Sequence, residues 1–172
     1  HHWPAPGDVD LVEHQMVFYL GGFWFKGIQD VGFGEAGRRV VGDHKSTSDF
    51  KWALSAEALR KNPQATIYLA GEMLRSGAKE GELRWVYYRT KKPYKALRVV
   101  EDDGKGSPVV LTQSDVADTF ATVILPMVSQ MWEWIGMRAR GQLPTKALKP
   151  NPGRCEKYGG CDHRERCDLT LQ

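Results

Sequence analysis

The chain is 172 residues long and carries a formal net charge of +3. That length suits one domain with a core that needs no disulfide staples, and no apolar run approaches the ~20 residues of a membrane span. So small a basic surplus does not by itself imply nucleic acid; where the charge sits matters more. Residues 1–4 show no basic region leading into an apolar one, so they do not read as a secretory signal. His1 and His2 fit a tag remnant. The three cysteines all lie between 155 and 167. An odd, clustered set suits a metal better than a disulfide framework and points to a reducing, cytoplasmic compartment.

Residues 12–22 are largely apolar and predict a first strand. Residues 23–34 predict a second, ending at Gly32, Phe33 and Gly34. Glu35, Ala36 and Gly37 supply a turn, and 38–45 a third strand whose C-terminal end becomes polar. Short turns between three strands predict an antiparallel meander. Residues 49–61 read as a short helix. Asn62 and Pro63 mark the next helix start, because Asn caps free amides and proline at the first helical position loses no needed N–H. Over 63–76 the spacing puts Ile67, Ala70 and Leu74 on one face and Gln64, Tyr68 and Arg75 on another. Gly77 follows as C-cap. Two β-rich runs, 83–90 and 94–101, flank Lys91, Lys92 and Pro93. An acidic, glycine-rich loop covers 101–107. A long helix is expected from about 112–115 to 141. Its core-facing stripe is Val116, Phe120, Ile124, Met127, Met131 and Ile135, and Pro126 predicts a kink in it. There is no internal repeat.

The sharpest chemical feature is Asp43, His44 and Lys45 at the end of the third strand, with Asp30 at a corresponding position on the second. If the strands are neighbours, two carboxylates meet at one rim of the sheet. Mg²⁺ asks for one or two hard carboxylate oxygens, with carbonyls or water completing the shell. Side chains alternate along a strand, so Lys45 shares a face with Asp43, where its ammonium can orient water or steady a charged phosphate. By the same alternation the His44 imidazole points the other way. Glu13, on the first strand, reads first as a solvated edge carboxylate, with a place in or behind the metal shell as the alternative. Asp-x-Lys alone is common at strand ends; its weight comes from the ordered combination.

That combination resembles a known family. Gly27 to Asp30, then Val40 to Thr47, then Asn62 to Tyr68 follow the order G-x-x-D, hydrophobic strand with D-x-K-S/T, and helix with Q-x-x-x-Y. The pattern is that of the RecB-like exonuclease branch of the PD-(D/E)XK nucleases, and the likeness is strong over about residues 12–76. It implies an α/β (α+β-like) restriction-endonuclease-like core, a central mixed sheet flanked by helices over 1–142, with the segment 143–172 packed on the same domain. It also implies that Asp30, Asp43 and the backbone carbonyl of His44 hold Mg²⁺ or Mn²⁺. Lys45 is then the catalytic lysine, and Gln64 and Tyr68 organise the site and the DNA backbone. Gln64 sits in the first turn of its helix, where free amides and the dipole favour phosphate.

Cys155, Cys161 and Cys167 are evenly spaced, with five residues between each and the next, among glycines. Thiolates so placed suit a soft metal centre. Relatives in the resembled branch, including helicase–nuclease subunits and a CRISPR adaptation nuclease, carry a [4Fe–4S] cluster with a fourth cysteine far upstream. This chain has neither that cysteine nor a clear upstream metal-binding histidine, as expected of a partial chain. Zinc with His163 as fourth ligand, or cysteines without metal, remain open. Residues 84–98 hold Arg84, Arg89, Lys91, Lys92, Lys95 and Arg98 with no acid, interleaved with Trp85, Tyr87, Tyr88 and Tyr94. They read equally as a DNA contact through Arg89, Lys91 and Lys92 or as a lysine-blunted edge hairpin.

The resemblance thus implies a Mg²⁺- or Mn²⁺-dependent deoxyribonuclease, an exonuclease acting on single strands or duplex ends in recombination, repair or phage replication. A helicase or recombination partner and a bacterial or phage-infected cytoplasm follow from the same likeness. The alternatives are a catalytically silent DNA-binding module and a structural subunit of a helicase–nuclease or integration complex.

Overall fold

The computed structural model describes residues 2–142. The cysteine segment and His163 lie outside these residues. The chain divides after Pro126 into two compact units, and the first contains the sheet.

Strand β1 (Leu11–Leu20), β2 (Phe23–Glu35) and β3 (Arg38–Thr47) form the expected antiparallel meander. Two tight turns make it possible. Gly21 and Gly22 join the first pair at φ 58° and 90°, and Ala36 and Gly37 join the second at φ 50° and 79°; paired left-handed residues match the twist of a hairpin. Helices α1 (Ala56–Arg60) and α2 (Pro63–Ser76) then carry the chain over the sheet, so that β4 (Glu80–Arg89) returns parallel to β3. Beyond β4, its two halves pair antiparallel with β6 (Val109–Thr112) and β5 (Ala96–Arg98). The architecture is therefore α/β, a mixed six-stranded sheet with flanking helices. Strand β4 is central, and it is buried continuously from Gly81 to Tyr87, as expected of a strand covered on both faces.

Helix α2 starts and stops as its sequence predicts. The Asn62 side chain accepts from the Ala65 amide at 3.0 Å, Pro63 occupies the first turn, and Gly77 closes it at φ 73°. Its core face differs from the expected one. Ala65, Leu69, Ala70 and Met73 are buried, whereas Leu74 is 57% exposed. The helix is thus turned by about one residue, and Gly81 of β4 makes the room: a Cβ there would collide with Leu69, which takes that space instead.

Three other expectations are corrected. Residues 49–61 are a 3-10 turn (Phe50–Trp52) followed by the short α1, not one helix. Strand β6 has no counterpart among the expected elements; Thr112 both ends it and caps α3 (Gln113–Thr119) through a reciprocal bond with Asp115. The long helix is broken by a π turn at Phe120–Ile124 before α4 (Leu125–Ala139). There the Leu125 amide reaches back five residues to the Phe120 carbonyl. The wider turn sits just ahead of Pro126, which has no amide to give. Val116, Phe120 and Ile124 are buried, but Met127, Met131 and Ile135 are exposed, and α4 buries none of its residues. No described helix is long and apolar enough to cross a membrane.

Candidate active site

The ladder between β2 and β3 ends with Val31 opposite Gly42. Asp30 and Asp43 are the next residues on the two strands, and the strands part there. Instead of a ladder bond, the Asp30 carboxylate accepts from the His44 amide at 2.8 Å. The register of β1 also skips the pair formed by Glu13 and Asp30. Glu13 is exposed and takes the left-handed conformation, φ 48°, which is uncommon for a residue with a Cβ. Both neighbours of Asp30 thus yield at the same point.

Asp43 is 2% exposed. Lys45 shares its face, as alternation requires. Its ammonium donates to Oδ1 at 3.0 Å and lies 2.8 Å from Oδ2 without donating to it. Oδ2 is buried and has no hydrogen-bond partner. Burial raises the Asp43 pKa above the ordinary carboxylate value; Lys45 opposes the shift and the neighbouring Asp30 charge adds to it. A buried carboxylate whose ion-pair partner is Lys45, beside a second carboxylate, is a donor set that fits a hard divalent cation. Among the described residues no three His, Cys, Asp or Glu side chains converge into a metal-holding group, so water and carbonyl oxygens would complete the shell.

The His44 ring does point away from this pair. It lies against Trp3, with ring centroids 4.3 Å apart, and Tyr88, at 5.7 Å. Trp3 Nε1 donates to the Tyr88 hydroxyl at 2.6 Å. Gly42 admits the clamp, because a Cβ there would collide with the Trp3 ring. The sequence gives no hint of this contact between residues so far apart.

Gln64 donates to the Tyr68 hydroxyl at 3.1 Å from the exposed first turns of α2. The Tyr68 ring lies over Gly27 of β2, where a Cβ would stand 2.7 Å from Cε1. The glycine three residues before Asp30 therefore has a steric purpose. Gln29, not singled out in the sequence, is fully buried between them. Its amide donates to the Val31 carbonyl at 2.8 Å, and its Oε1 has no partner. Parity could have found it: Phe25, Gly27 and Gln29 share the inward side of β2, and a polar residue there is out of place.

The basic run separates into two parts. Arg84 is not a surface cation. It is buried among Glu82, at 2.5 Å, and Glu35, while Arg98 reaches Glu82 at 2.7 Å. Trp85 and Tyr87 are likewise core. Arg89 pairs with Thr47 in the parallel ladder, and the Thr90 amide donates to the Thr47 carbonyl at 2.8 Å. Arg89 and the exposed Lys91 and Lys92 that follow it therefore leave the sheet at the same rim as Lys45. A cavity of about 460 Å³ lies at the other end of β3, lined by Arg38, Arg39 and Gly77 among others, and includes none of these groups.

Neither a protein-family model nor a curated protein matches this sequence. The chain is similar to a solved structure described as SSO0001, at 17% identity and a TM-score of 0.36. The match covers 67% of this chain and spans 50% of the length of the other.

Proposed function

We propose that the protein is a Mg²⁺- or Mn²⁺-dependent deoxyribonuclease of the PD-(D/E)XK, RecB-like kind. One observation carries the reading: Asp30 and Asp43, on different strands, come together beside Lys45, which pairs with the buried Asp43 carboxylate. Asp30, Asp43 and the His44 carbonyl would hold the cation, which when bound neutralises phosphate charge and acidifies a water. Lys45, 35% exposed, keeps its ammonium at the open side of the site. There it can hold a phosphate oxygen or orient the water for in-line attack at phosphorus. Gln64 and Tyr68 offer an amide and a hydroxyl to the DNA backbone. Arg89, Lys91 and Lys92 supply positive charge at the same rim, where each phosphate contact makes binding salt-dependent.

The test is cleavage of end-labelled single- and double-stranded DNA with Mg²⁺ or Mn²⁺, comparing the wild type with Lys45→Ala and Asp43→Ala. Metal-dependent loss of label that vanishes in both variants supports the reading. DNA binding without cleavage in any metal would sink it in favour of a silent DNA-binding module.

A further inference from the structure

We propose that Trp3 is a positioning residue: its ring grips the His44 ring from behind the sheet and so holds the His44 peptide against Asp30. The metal that this peptide would serve rests on the nuclease reading above; the hold on the peptide does not. Along a strand, the amide and carbonyl of one residue face one neighbouring strand, and those of the next residue face the other. The Thr47 carbonyl accepts from the Thr90 amide just beyond β4, so Thr47, Lys45 and Asp43 turn their backbone groups towards β4. His44 therefore turns its amide and carbonyl towards β2, where the ladder has already ended at Val31 and Gly42. The partner that meets the amide there is a side chain, the Asp30 carboxylate, at 2.8 Å.

The ring supplies the hold that the ladder no longer gives. Arg39 and Asp43 share the face that meets α2, where Arg39 bonds Glu72 at 2.6 Å, so the His44 ring lies on the opposite face. It rests there against Trp3, with ring centroids 4.3 Å apart, and Tyr88, at 5.7 Å. Trp3 is itself fixed at two points. Its Nε1 donates to the Tyr88 hydroxyl at 2.6 Å, and the carbonyl of His2 accepts from the buried Arg84 guanidinium at 3.2 Å. Gly42, two residues before His44 on the same face, leaves the space that the Trp3 ring fills.

Tyr88 pairs with Ser46 on one side and Ala96 on the other, so the seat of the His44 ring is anchored within the sheet. Turning the His44 peptide about the strand axis would swing its ring off that seat. Holding the ring therefore fixes where the amide and carbonyl point, as groups behind a ligand orient it in metal sites. The bond that steadies Asp30 and the carbonyl offered to the cation depend on the same peptide.

The experiment combines amide hydrogen exchange by NMR in EDTA with Mn²⁺ binding by calorimetry, on the full chain as wild type, Trp3→Ala, Trp3→Phe and His44→Ala. Circular dichroism first verifies that each variant is folded. In Trp3→Ala the His44 amide exchanges faster by about tenfold or more, while the Asp43 and Lys45 amides, which face β4, keep their rates. Mn²⁺ affinity falls by about tenfold, and kcat on DNA falls with KM unchanged. Trp3→Phe keeps a ring against His44 and recovers most of each loss. His44→Ala loses as much Mn²⁺ affinity as Trp3→Ala does, and the two changes together lose no more. Wild-type exchange at His44 in Trp3→Ala would overturn the proposal. So would exchange that quickens evenly along β3, which would make Trp3 a general stabiliser, or wild-type Mn²⁺ affinity in His44→Ala. A wild type that binds no Mn²⁺ sinks the nuclease reading instead, and the exchange rates still decide the hold on the peptide.

Discussion

Replacing Asp43 by Asn should stabilise the metal-free protein at neutral pH while abolishing any activity. The carboxyl is 2% exposed, and burial raises its pKa from the ordinary 3.8. The folded state therefore keeps its proton to higher pH than the unfolded chain does. Stability from this group is fully present below pH 3.8 and is lost as pH rises through the raised folded value. Asn cannot ionise, so the variant avoids that loss. The gap between the proteins should open as pH rises and then level off. Removing such a functional strain is worth about 1 kcal/mol, or about 2–4 °C in Tm for a chain of this size. Thermal unfolding with a chelator, repeated across pH, measures it. Adding Mn²⁺ at about 100 times its Kd should then stabilise the wild type by about 2.7 kcal/mol and the variant far less. An Asn variant less stable than the wild type in chelator, or a gap that does not grow with pH, would refute the reasoning.

Gly27→Ala would place a Cβ 2.7 Å from the Tyr68 ring. It should cost about 1–3 kcal/mol in urea unfolding, and less in a Tyr68→Ala background, where the ring is gone. Arg84→Met leaves Glu82 buried with one cation. A loss of about 3 kcal/mol is expected, at the low end for a broken buried pair because Arg98 still bonds Glu82 at 2.7 Å; urea unfolding followed by circular dichroism measures it. Asn62→Ala removes the cap on the Ala65 amide and should cost about 1 kcal/mol, with Asn62→Asp restoring most of it in the same assay.

The features legible in the sequence are those set by neighbours along the chain. Glycine pairs give the hairpin turns, period-two alternation puts Asp43 and Lys45 on one face, and Asn62 with Pro63 marks the start of α2. What the sequence hid depends on distant partners. Arg84 looks like a surface cation until Glu35, on another strand, reaches it. Nothing near His44 foretells Trp3. The apolar period of Val116, Phe120 and Ile124 continues in the sequence through Met127 and Met131, yet α4 buries none of its residues. Gln29 was visible as a polar residue on an inward position, but its orphaned oxygen is a fact of packing.

The parallel return of β4 beside β3 also bears on the order in which the protein assembles. The three-strand meander uses only short turns, and hairpins of this kind close in about 1–10 μs. The far edge of β3 must wait until α1 and α2 have crossed the sheet, a slower, non-local closure. Until β4 arrives, that edge shows unpaired amides and carbonyls and can template pairing with another chain. Asp43 lies on it, opposite Trp85. The burial that raises the Asp43 pKa is thus a property of the assembled sheet and its covering helices, not of the meander alone.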